Sequence, residues 1–150
     1  SIHVYILGDI SNRKYNPDVV GFLADLKGSK HLITGNHDNI SDYRFRQLFV
    51  EICDYKEMAD TYNKVHYNIV LCHYPILAWN GQHREWILLY GHTHQSFDDK
   101  LFQESITKMN EFYKERDKEK YKPFYAYNVG IFNYGWEPVS LGEILNGNVS

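Results

Sequence analysis

The sequence has few cysteines, no long apolar run and no excess of basic residues. No apolar stretch approaches the roughly 18 residues that a membrane-spanning helix needs, so a transmembrane helix is not expected. The two cysteines, Cys53 and Cys72, are far apart and lie in apolar sequence. We therefore expect buried, reduced thiols in a cytoplasmic protein rather than a disulfide.

The charge balance and the length point to an ordinary globular domain. The formal net charge is −3, so no global basic field favours nucleic-acid binding. A nucleic-acid substrate remains open, because bound divalent cations would add local positive charge. The length of 150 residues and the hydrophobic content of 43% are typical of one domain with its own core. We predict a single domain over residues 1–150, with no membrane partner, and the oligomeric state stays open.

The first third of the chain predicts two parallel strands joined by a helix. Residues 2–7 are β-branched and aromatic, which is typical of a buried strand. Asn16, Pro17 and Asp18 indicate a helix start, because proline suits the first turn and an acidic residue favours the positive end of the helix dipole. Residues 32–34 predict the second strand. Elements of these lengths form a right-handed crossover between parallel neighbours.

Further strands and helices are predicted along the rest of the chain. Ser41 or Asp42 can cap a short helix, and Ser140 with Glu143 at the capping-box position predicts a final one. Loose alternation on both sides of a turn-like Asn-Lys pair predicts a hairpin. The predicted ranges are a hairpin over 55–62 and 65–72, strands over 85–90 and 124–129, a helix over about 98–121, and loops over 78–85 and 130–136. The charged tail of that helix, over 114–122, is predicted to be a solvated last turn or a loop.

Four predicted strands end in side chains that can bind metals or transfer protons. Because ligands bind at the carboxyl ends of strands in open α/β sheets, we expect these side chains to meet at one edge. A carboxylate, an amide oxygen and imidazoles suit Mn²⁺, Fe or Zn²⁺ better than Ca²⁺ or Mg²⁺. The residues at these strand ends are Asp9, Asn36, His37, Asp38, His73, His92 and His94.

Each of these residues also has an ordinary structural explanation. Asp9 alone would be a turn or helix-capping residue, and Asn36 alone a turn former that tolerates left-handed geometry. His73 alone would more often be a core histidine with a satisfied hydrogen bond. Their joint occurrence, each at a strand end, favours a metal site over separate structural roles.

The same segments resemble the motifs of a known enzyme family. Gly-Asp at positions 8–9, Gly-Asn-His-Asp at 35–38, His73 and Gly-His-Thr-His at 91–94 are similar to motifs two to five of the calcineurin-like metallophosphoesterases. The resemblance covers most of the chain. It implies an α/β fold, a β-sandwich flanked by helices, with the site at the strand carboxyl ends. It also implies two divalent metal ions and a metal-bridging hydroxide that attacks a phosphoester.

The resemblance assigns a metal-binding role to five residues. Asp9 is implied to bridge both metal ions. Asn36, His73 and His92 are implied to complete the shell of the second metal, and His94 is implied to bind the first. On this assignment the second metal has four protein ligands and the first has two, so the second site should fill first and bind more tightly.

The resemblance gives His37 and Asp38 a different role. His37 is implied to protonate the leaving group, and Asp38 to orient its imidazole, with neither binding metal. An imidazole held by a carboxylate can supply a proton near neutral pH, which a leaving alkoxide needs. We therefore expect His37→Ala to lower turnover while leaving the metal content nearly intact.

One motif of the family has no counterpart in the sequence. The first motif, Asp-x-His, does not occur before Gly8. We expect the native protein to have an N-terminal segment that carries this motif, since the strand over residues 2–7 would otherwise leave a sheet edge unpaired. The alternative is a divergent member of the family with a degraded first metal site.

Substrate-contacting residues are predicted from their position in the sequence. Asn80, His83 and Arg84 lie between two strands that end in metal-binding residues, and Arg13 or Arg44 could meet a phosphate with a guanidinium fork. For each of them the alternative is a solvated surface residue. The nearby rings of Tyr74 and Trp79 are more often packing residues than stacking platforms.

The predicted function is a metal-dependent phosphoester hydrolase. The substrate would be a small phosphoester, and the enzyme would be a phosphodiesterase or a broad phosphatase. The alternative is a binding or scaffold protein with an impaired metal site, against which the presence of a proton donor at His37 argues. A nuclease is less favoured, because the chain is slightly acidic and shows no basic groove with interleaved aromatics.

Overall fold

A computed structural model describes residues 2–8, 16–38, 40–92, 96–130 and 138–147. These residues form two β-sheets with helices packed against them, which confirms the predicted α/β class. Within the described ranges, no helix is both long enough and apolar enough to cross a membrane.

The first sheet is parallel and consists of three strands. β1 (His3–Ile6) pairs with β2 (Ser29–Ile33), and β2 pairs with β3 (Glu51–Cys53). α1 (Pro17–Asp25) lies between the parallel strands β1 and β2, which confirms the predicted strand–helix–strand unit, and its right-handed path stays a prediction. β3 was not predicted, because three residues are too few to show a period-two alternation.

The second sheet has four strands and contains the predicted hairpin. Its order is β4 (Tyr55–Tyr62), β5 (Val65–Cys72), β6 (Ile87–Tyr90) and β7 (Tyr125–Asn128). β4 is antiparallel to β5, whereas β6 runs parallel to both β5 and β7. The carboxyl ends of β5, β6 and β7 therefore lie at one edge, as predicted.

The helices begin where the sequence predicts and one ends earlier. α2 (Tyr43–Arg46) is capped by the Asp42 side chain, and α4 (Leu141–Leu145) begins with the predicted capping box. α3 (Phe97–Arg116) ends inside the charged tail that was predicted as a last turn or a loop, because that tail offers no apolar stripe to bury. A short 3₁₀ helix (Gln82–Arg84) interrupts the predicted loop, and the predicted loop over 130–136 lies almost wholly outside the described residues.

The core consists of three apolar layers between the elements. α3 packs on one face of the second sheet. The first sheet and α4 pack on the other face of the second sheet. α1 and α2 cover the outer face of the first sheet. Trp79 is buried in the layer under α3 and its indole Nε1 donates to the Trp86 carbonyl at 2.9 Å, which confirms a packing role. Cys72 is a buried thiol, as expected, whereas the Cys53 thiol is only half-buried.

The outer side of β1 borders a cavity. Within the described ranges, β1 pairs with β2 alone. A cavity of about 350 Å³, lined mostly by apolar side chains, runs along residues 3–8 and reaches β5, β6 and α4. A further strand beside β1, expected from the sequence, stays a prediction.

Candidate metal centre

The carboxyl ends of β1, β2, β5 and β6 converge on His73. Gly8, just after β1, has a φ of 75°, and a Cβ on it would lie 2.5 Å from the Gly35 nitrogen and 2.6 Å from His73 Nδ1. Only glycine permits this approach of the backbone to the imidazole. The Gly91 nitrogen, just after β6, donates to the His73 carbonyl at 2.9 Å. The four predicted strand ends are therefore adjacent in space.

The His73 imidazole is held in one tautomer by the end of β1. The residue is buried, and its Nδ1 lies 2.7 Å from the Leu7 carbonyl oxygen. Because a carbonyl only accepts, Nδ1 must carry the proton of the neutral ring, and the lone pair is on Nε2. Metal-binding histidines are oriented in this way, with the far nitrogen donating to a carbonyl or a carboxylate.

His92 places a second imidazole nitrogen next to the first. His92 Nδ1 lies 3.1 Å from His73 Nε2. Two nitrogens bound to one metal ion at about 2.1 Å, at a right angle, would lie about 3 Å apart. The pair therefore fits a divalent ion. His92 has a φ of 65°, a left-handed conformation that non-glycine residues adopt rarely and often at functional sites.

Residues 35–38 form a tight turn that projects two exposed side chains. Asp38 Oδ2 accepts a hydrogen bond from the Gly35 nitrogen at 2.8 Å, and this contact closes the turn. Asn36 and His37 are exposed, and Asn36 Nδ2 lies 3.1 Å from His37 Nε2. Asp38 thus shapes the backbone from which His37 projects, and its predicted direct orientation of the imidazole stays a prediction.

Three predicted site residues, Asp9, Arg13 and His94, lie outside the described residues. Within the described ranges, no group of three or more His, Cys, Asp or Glu side chains is placed to hold a metal ion. What the structure brings together is the His73 and His92 pair, with the Gly8 and Gly35 backbones against it. The bridging role of Asp9 and the role of His94 stay predictions.

Two predicted substrate residues lie against other parts of the fold. The His83 ring packs edge-on against Tyr113 and Phe124, with ring centroids 5.0 and 4.9 Å away. The Arg84 guanidinium lies over the Trp86 ring, 5.6 Å from its centroid. These contacts direct both side chains toward α3, β7 and the adjacent loop, and substrate binding by them stays a prediction.

The other described candidates are exposed. Arg44 makes a two-point hydrogen bond with Asp42, at 2.9 and 3.2 Å, and this contact holds the pKa of the Asp42 carboxyl below its usual range. Asn80 is exposed in the loop after β5. Tyr74 is 43% exposed, and its ring lies 5.0 Å from the His73 ring and 4.8 Å from the His92 ring. Of these, Tyr74 borders the imidazole pair.

Sequence reasoning missed the group that orients His73. The Leu7 carbonyl is a backbone atom at the end of an apolar strand, so no side-chain pattern marks it. The only signal is the glycine that follows, which allows the end of β1 to approach the imidazole.

The chain belongs to the calcineurin-like phosphoesterase family, whose model matches residues 2–144. It is 32% identical over 113 residues to the Gene 66 protein of Mycobacterium phage D29, covering 61% of this chain. The match spans 57% of that relative's length. The fold is similar to that of a protein of unknown function from Aquifex aeolicus, with a TM-score of 0.59 at 20% identity, over 96% of this chain and 75% of the other.

Proposed function

We propose that this protein hydrolyses small phosphoesters, as a phosphodiesterase or a broad phosphatase, at a dinuclear centre. Membership of the family supports metal-dependent phosphoester chemistry. The observation that carries the proposal is the His73 imidazole, whose Nδ1 donates to the Leu7 carbonyl while its Nε2 lies 3.1 Å from His92 Nδ1. A histidine held this way has its lone pair directed at the place where a ligand would sit.

The chain supplies donors of the kind that such a centre needs. His73, His92, the Asn36 amide and the Asp9 carboxylate would hold one divalent ion, and Asp9 with His94 would hold the other. A mixed set of imidazole nitrogens with carboxylate and amide oxygens suits Mn²⁺, Fe or Zn²⁺. When bound, two such ions neutralise phosphate oxygens and lower the pKa of water, so no protein nucleophile is required.

His37 would donate the proton to the leaving group. Its imidazole projects into solvent from the turn closed by Asp38, beside the amide of Asn36. An imidazole that is open to solvent can regain its proton from water after each turnover, which suits a general acid. Asn36 would keep the imidazole close to the ester, because it lies next to His37 and would bind metal through its amide oxygen.

The first metal site would be completed by a strand beside β1. Asp9 and His94 alone make a weak site, and the family's Asp-x-His motif supplies the missing ligands. The outer edge of β1 and the 350 Å³ cavity along residues 3–8 support a place for such a strand.

The test is hydrolysis of bis(4-nitrophenyl) phosphate and 4-nitrophenyl phosphate with and without Mn²⁺, together with the Mn²⁺ content of the protein. We expect Mn²⁺-dependent release of nitrophenol and loss of Mn²⁺ binding in His73→Ala. His66→Ala is the matched control, because His66 is exposed on the hairpin strand β5. Turnover of neither ester, or wild-type Mn²⁺ content in His73→Ala, would overturn the proposal.

A further inference from the structure

An exposed aromatic ring lies against both imidazoles of the candidate metal centre. The Tyr74 ring is 5.0 Å from the His73 ring, with 79° between the planes, and 4.8 Å from the His92 ring, with 56° between the planes. His73 is only 1% exposed, whereas Tyr74 is 43% exposed. The Tyr74 ring is therefore the surface that a ligand approaching the pair from this side would meet.

The backbone of Tyr74 is held in place on both sides of the residue. Pro75 follows it, and a residue that precedes proline is restricted to extended conformations. Burial raises the pKa of the Cys72 thiol, and a hydrogen bond from the Tyr74 backbone partly offsets this rise. A tyrosine side chain has only two torsions to fix, so ordering this ring against a ligand costs little conformational entropy.

The loop that follows Tyr74 turns back into the core. Ile76 packs in the layer under α3, and the Leu77 carbonyl accepts a hydrogen bond from the buried Gln82 Nε2 at 2.8 Å. Trp79 is buried in the same layer. The sequence groups Tyr74 with Trp79 as rings that more often pack than stack on a ligand. The structure separates them, because Trp79 is buried and Tyr74 is exposed beside the site.

Exposure alone does not distinguish Tyr74 from other apolar surface residues. Single exposed apolar side chains are common, and Phe112 on α3 is 57% exposed. The distinguishing feature of Tyr74 is that its ring contacts both His73 and His92. A phosphoester bound at these two imidazoles would bring its own substituents next to the ring.

We propose that Tyr74 binds the ester group that stays on phosphorus, and that it favours phosphodiesters in which this group is planar and aromatic. The inference rests on the proposed function, because it takes His73 and His92 as ligands of the metal at which the phosphate binds. Aromatic groups pack on a tyrosine ring in offset-stacked or edge-to-face arrangements. A monoester has no second ester group, so this contact favours a phosphodiesterase over a broad phosphatase.

The retained group is assigned to Tyr74 because the leaving group has another partner. Under the proposed function, His37 protonates the leaving group from the turn after β2, whereas Tyr74 follows β5. In an in-line displacement the leaving group lies opposite the attacking oxygen, and the retained group lies to the side. The ring beside His73 and His92 is thus matched to the group at the side.

The kinetic test compares two diesters that release the same leaving group. Bis(4-nitrophenyl) phosphate retains a nitrophenyl group, and methyl 4-nitrophenyl phosphate retains a methyl group. We expect Tyr74→Leu to lower the preference for the diaryl ester, measured as the ratio of the two kcat/KM values, about 5-fold and mostly through KM. Tyr74→Phe keeps the ring and should keep this preference within about 2-fold of wild type.

Phe112→Leu is the matched control, because it also replaces an exposed ring by leucine. Phe112 follows Asn110 by two residues, and Asn110 Oδ1 accepts a hydrogen bond from the Phe124 nitrogen just before β7. Since β7 is parallel to β6, its amino end lies at the edge opposite His92. Phe112→Leu should leave both kcat/KM values and their ratio unchanged.

A second measurement needs no turnover. Phenylphosphonate and methylphosphonate carry the same anionic group on a carbon–phosphorus bond, which phosphoester hydrolysis does not break. We expect calorimetry on the Mn²⁺-loaded protein to show tighter binding of phenylphosphonate, and Tyr74→Leu to reduce that preference about 5-fold. The Mn²⁺ content of Tyr74→Leu should equal that of wild type, because Tyr74 is not a metal ligand in this proposal.

The outcomes separate this inference from the proposed function. Equal losses on both esters, or loss of Mn²⁺, in Tyr74→Leu would show a structural role and overturn the inference. The same loss of preference in Tyr74→Phe would overturn the contact through the ring. If wild type hydrolyses neither ester, the proposed function fails and the phosphonates still decide on Tyr74. A preference for phenylphosphonate that Tyr74→Leu lowers supports the contact, and an absent or unchanged preference overturns it.

Discussion

Among the residues that the structure describes, two pairs of imidazoles are in contact, and one of the two lies at the strand ends. His3 Nδ1 and His31 Nε2 are 2.9 Å apart, closer than the 3.1 Å between His73 and His92. The first pair is formed within β1 and β2, and the Tyr5 ring stacks on His31 with a centroid distance of 4.4 Å. The second is formed where β5 and β6 end, beside the backbone turns at Gly8 and Gly91.

The far nitrogens of the two buried histidines also differ in their partners. His31 Nδ1 lies 2.8 Å from Glu51 Oε1, and Glu51 Oε2 accepts a hydrogen bond from Lys56 at 2.9 Å. The pair of His3 and His31 therefore belongs to a row of polar and charged groups that runs across the first sheet to β4. His73 Nδ1 donates to the neutral Leu7 carbonyl. Closeness of two imidazoles is therefore a poor guide to a metal site, and the backbone geometry around them is a better one.

The largest expected effect separates the two pairs by metal content. His73→Ala should lose Mn²⁺ binding and reduce ester hydrolysis at least about 100-fold, because a ligand and its orienting contact disappear together. His31→Ala should keep Mn²⁺ bound and lose stability instead. The measurement is metal analysis after gel filtration, with kcat on the diester. Loss of Mn²⁺ from His31→Ala and retention by His73→Ala would reverse the comparison.

A smaller effect on turnover is expected from a third imidazole. His37→Ala should lower kcat about 100-fold or more, the usual contribution of a general acid, while Mn²⁺ content stays near wild type. The loss should be smaller for esters with good leaving groups, which need no proton. Equal losses for good and poor leaving groups, or Mn²⁺ lost together with kcat, would contradict the role as an acid.

Gly8 tests how much the His73 pair depends on backbone packing. Gly8→Ala should destabilise the protein by about 3 kcal/mol, since the new Cβ would meet the Gly35 backbone and the His73 ring in addition to a strained φ. Gly147→Ala is the control that measures the cost of backbone strain alone, because Gly147 has a φ of 68° and nothing lies within 4 Å of its Cβ position. Urea unfolding of both variants measures the difference, and equal losses would refute the packing argument.

The smallest effect concerns the charged row around His31. The Lys56 ammonium and then the His31 imidazole, by hydrogen bonding, hold the pKa of the Glu51 carboxyl below its ordinary value of 4.5. A lowered pKa contributes stability that is present above pH 4.5 and is lost as the pH falls through the folded-state value. Glu51→Gln should therefore cost about 1 kcal/mol at pH 7 and remove part of the acid dependence of unfolding.

Glu104→Gln, on the exposed face of α3, is the control for this last prediction. Its free energy of unfolding should stay within about 0.5 kcal/mol of wild type at each pH. The acid dependence of Glu51→Gln is to be compared with it between pH 2.5 and 6. An unchanged profile for Glu51→Gln would show that the row contributes nothing measurable.

Much of the framework could be predicted from the sequence, because its signals are local. The hairpin bounds follow from alternation and from a two-residue turn, and the start of α4 from the capping box of Ser140 and Glu143. The convergence of the strand ends could also be predicted, since parallel strands bring their carboxyl ends to one edge. These predictions needed no knowledge of distant contacts.

What could not be predicted depends on contacts between distant segments. The three-residue strand β3 is defined by its neighbour β2, and the His3 and His31 pair by the register of β1 on β2. The placement of His83 against α3 and β7 follows from a loop whose path no local pattern fixes. Sequence position between two ligand-bearing strands was therefore a weak guide to substrate contacts.

The turn of the hairpin has a consequence for the order in which the molecule folds. Asn63 and Lys64 both have positive φ values, of 51° and 65°, and join eight consecutive residue pairs of β4 and β5. Such local pairing forms within microseconds, whereas the His73 contact with Leu7 joins residues 66 positions apart. The imidazole pair is thus expected to assemble late, on a hairpin that is already formed.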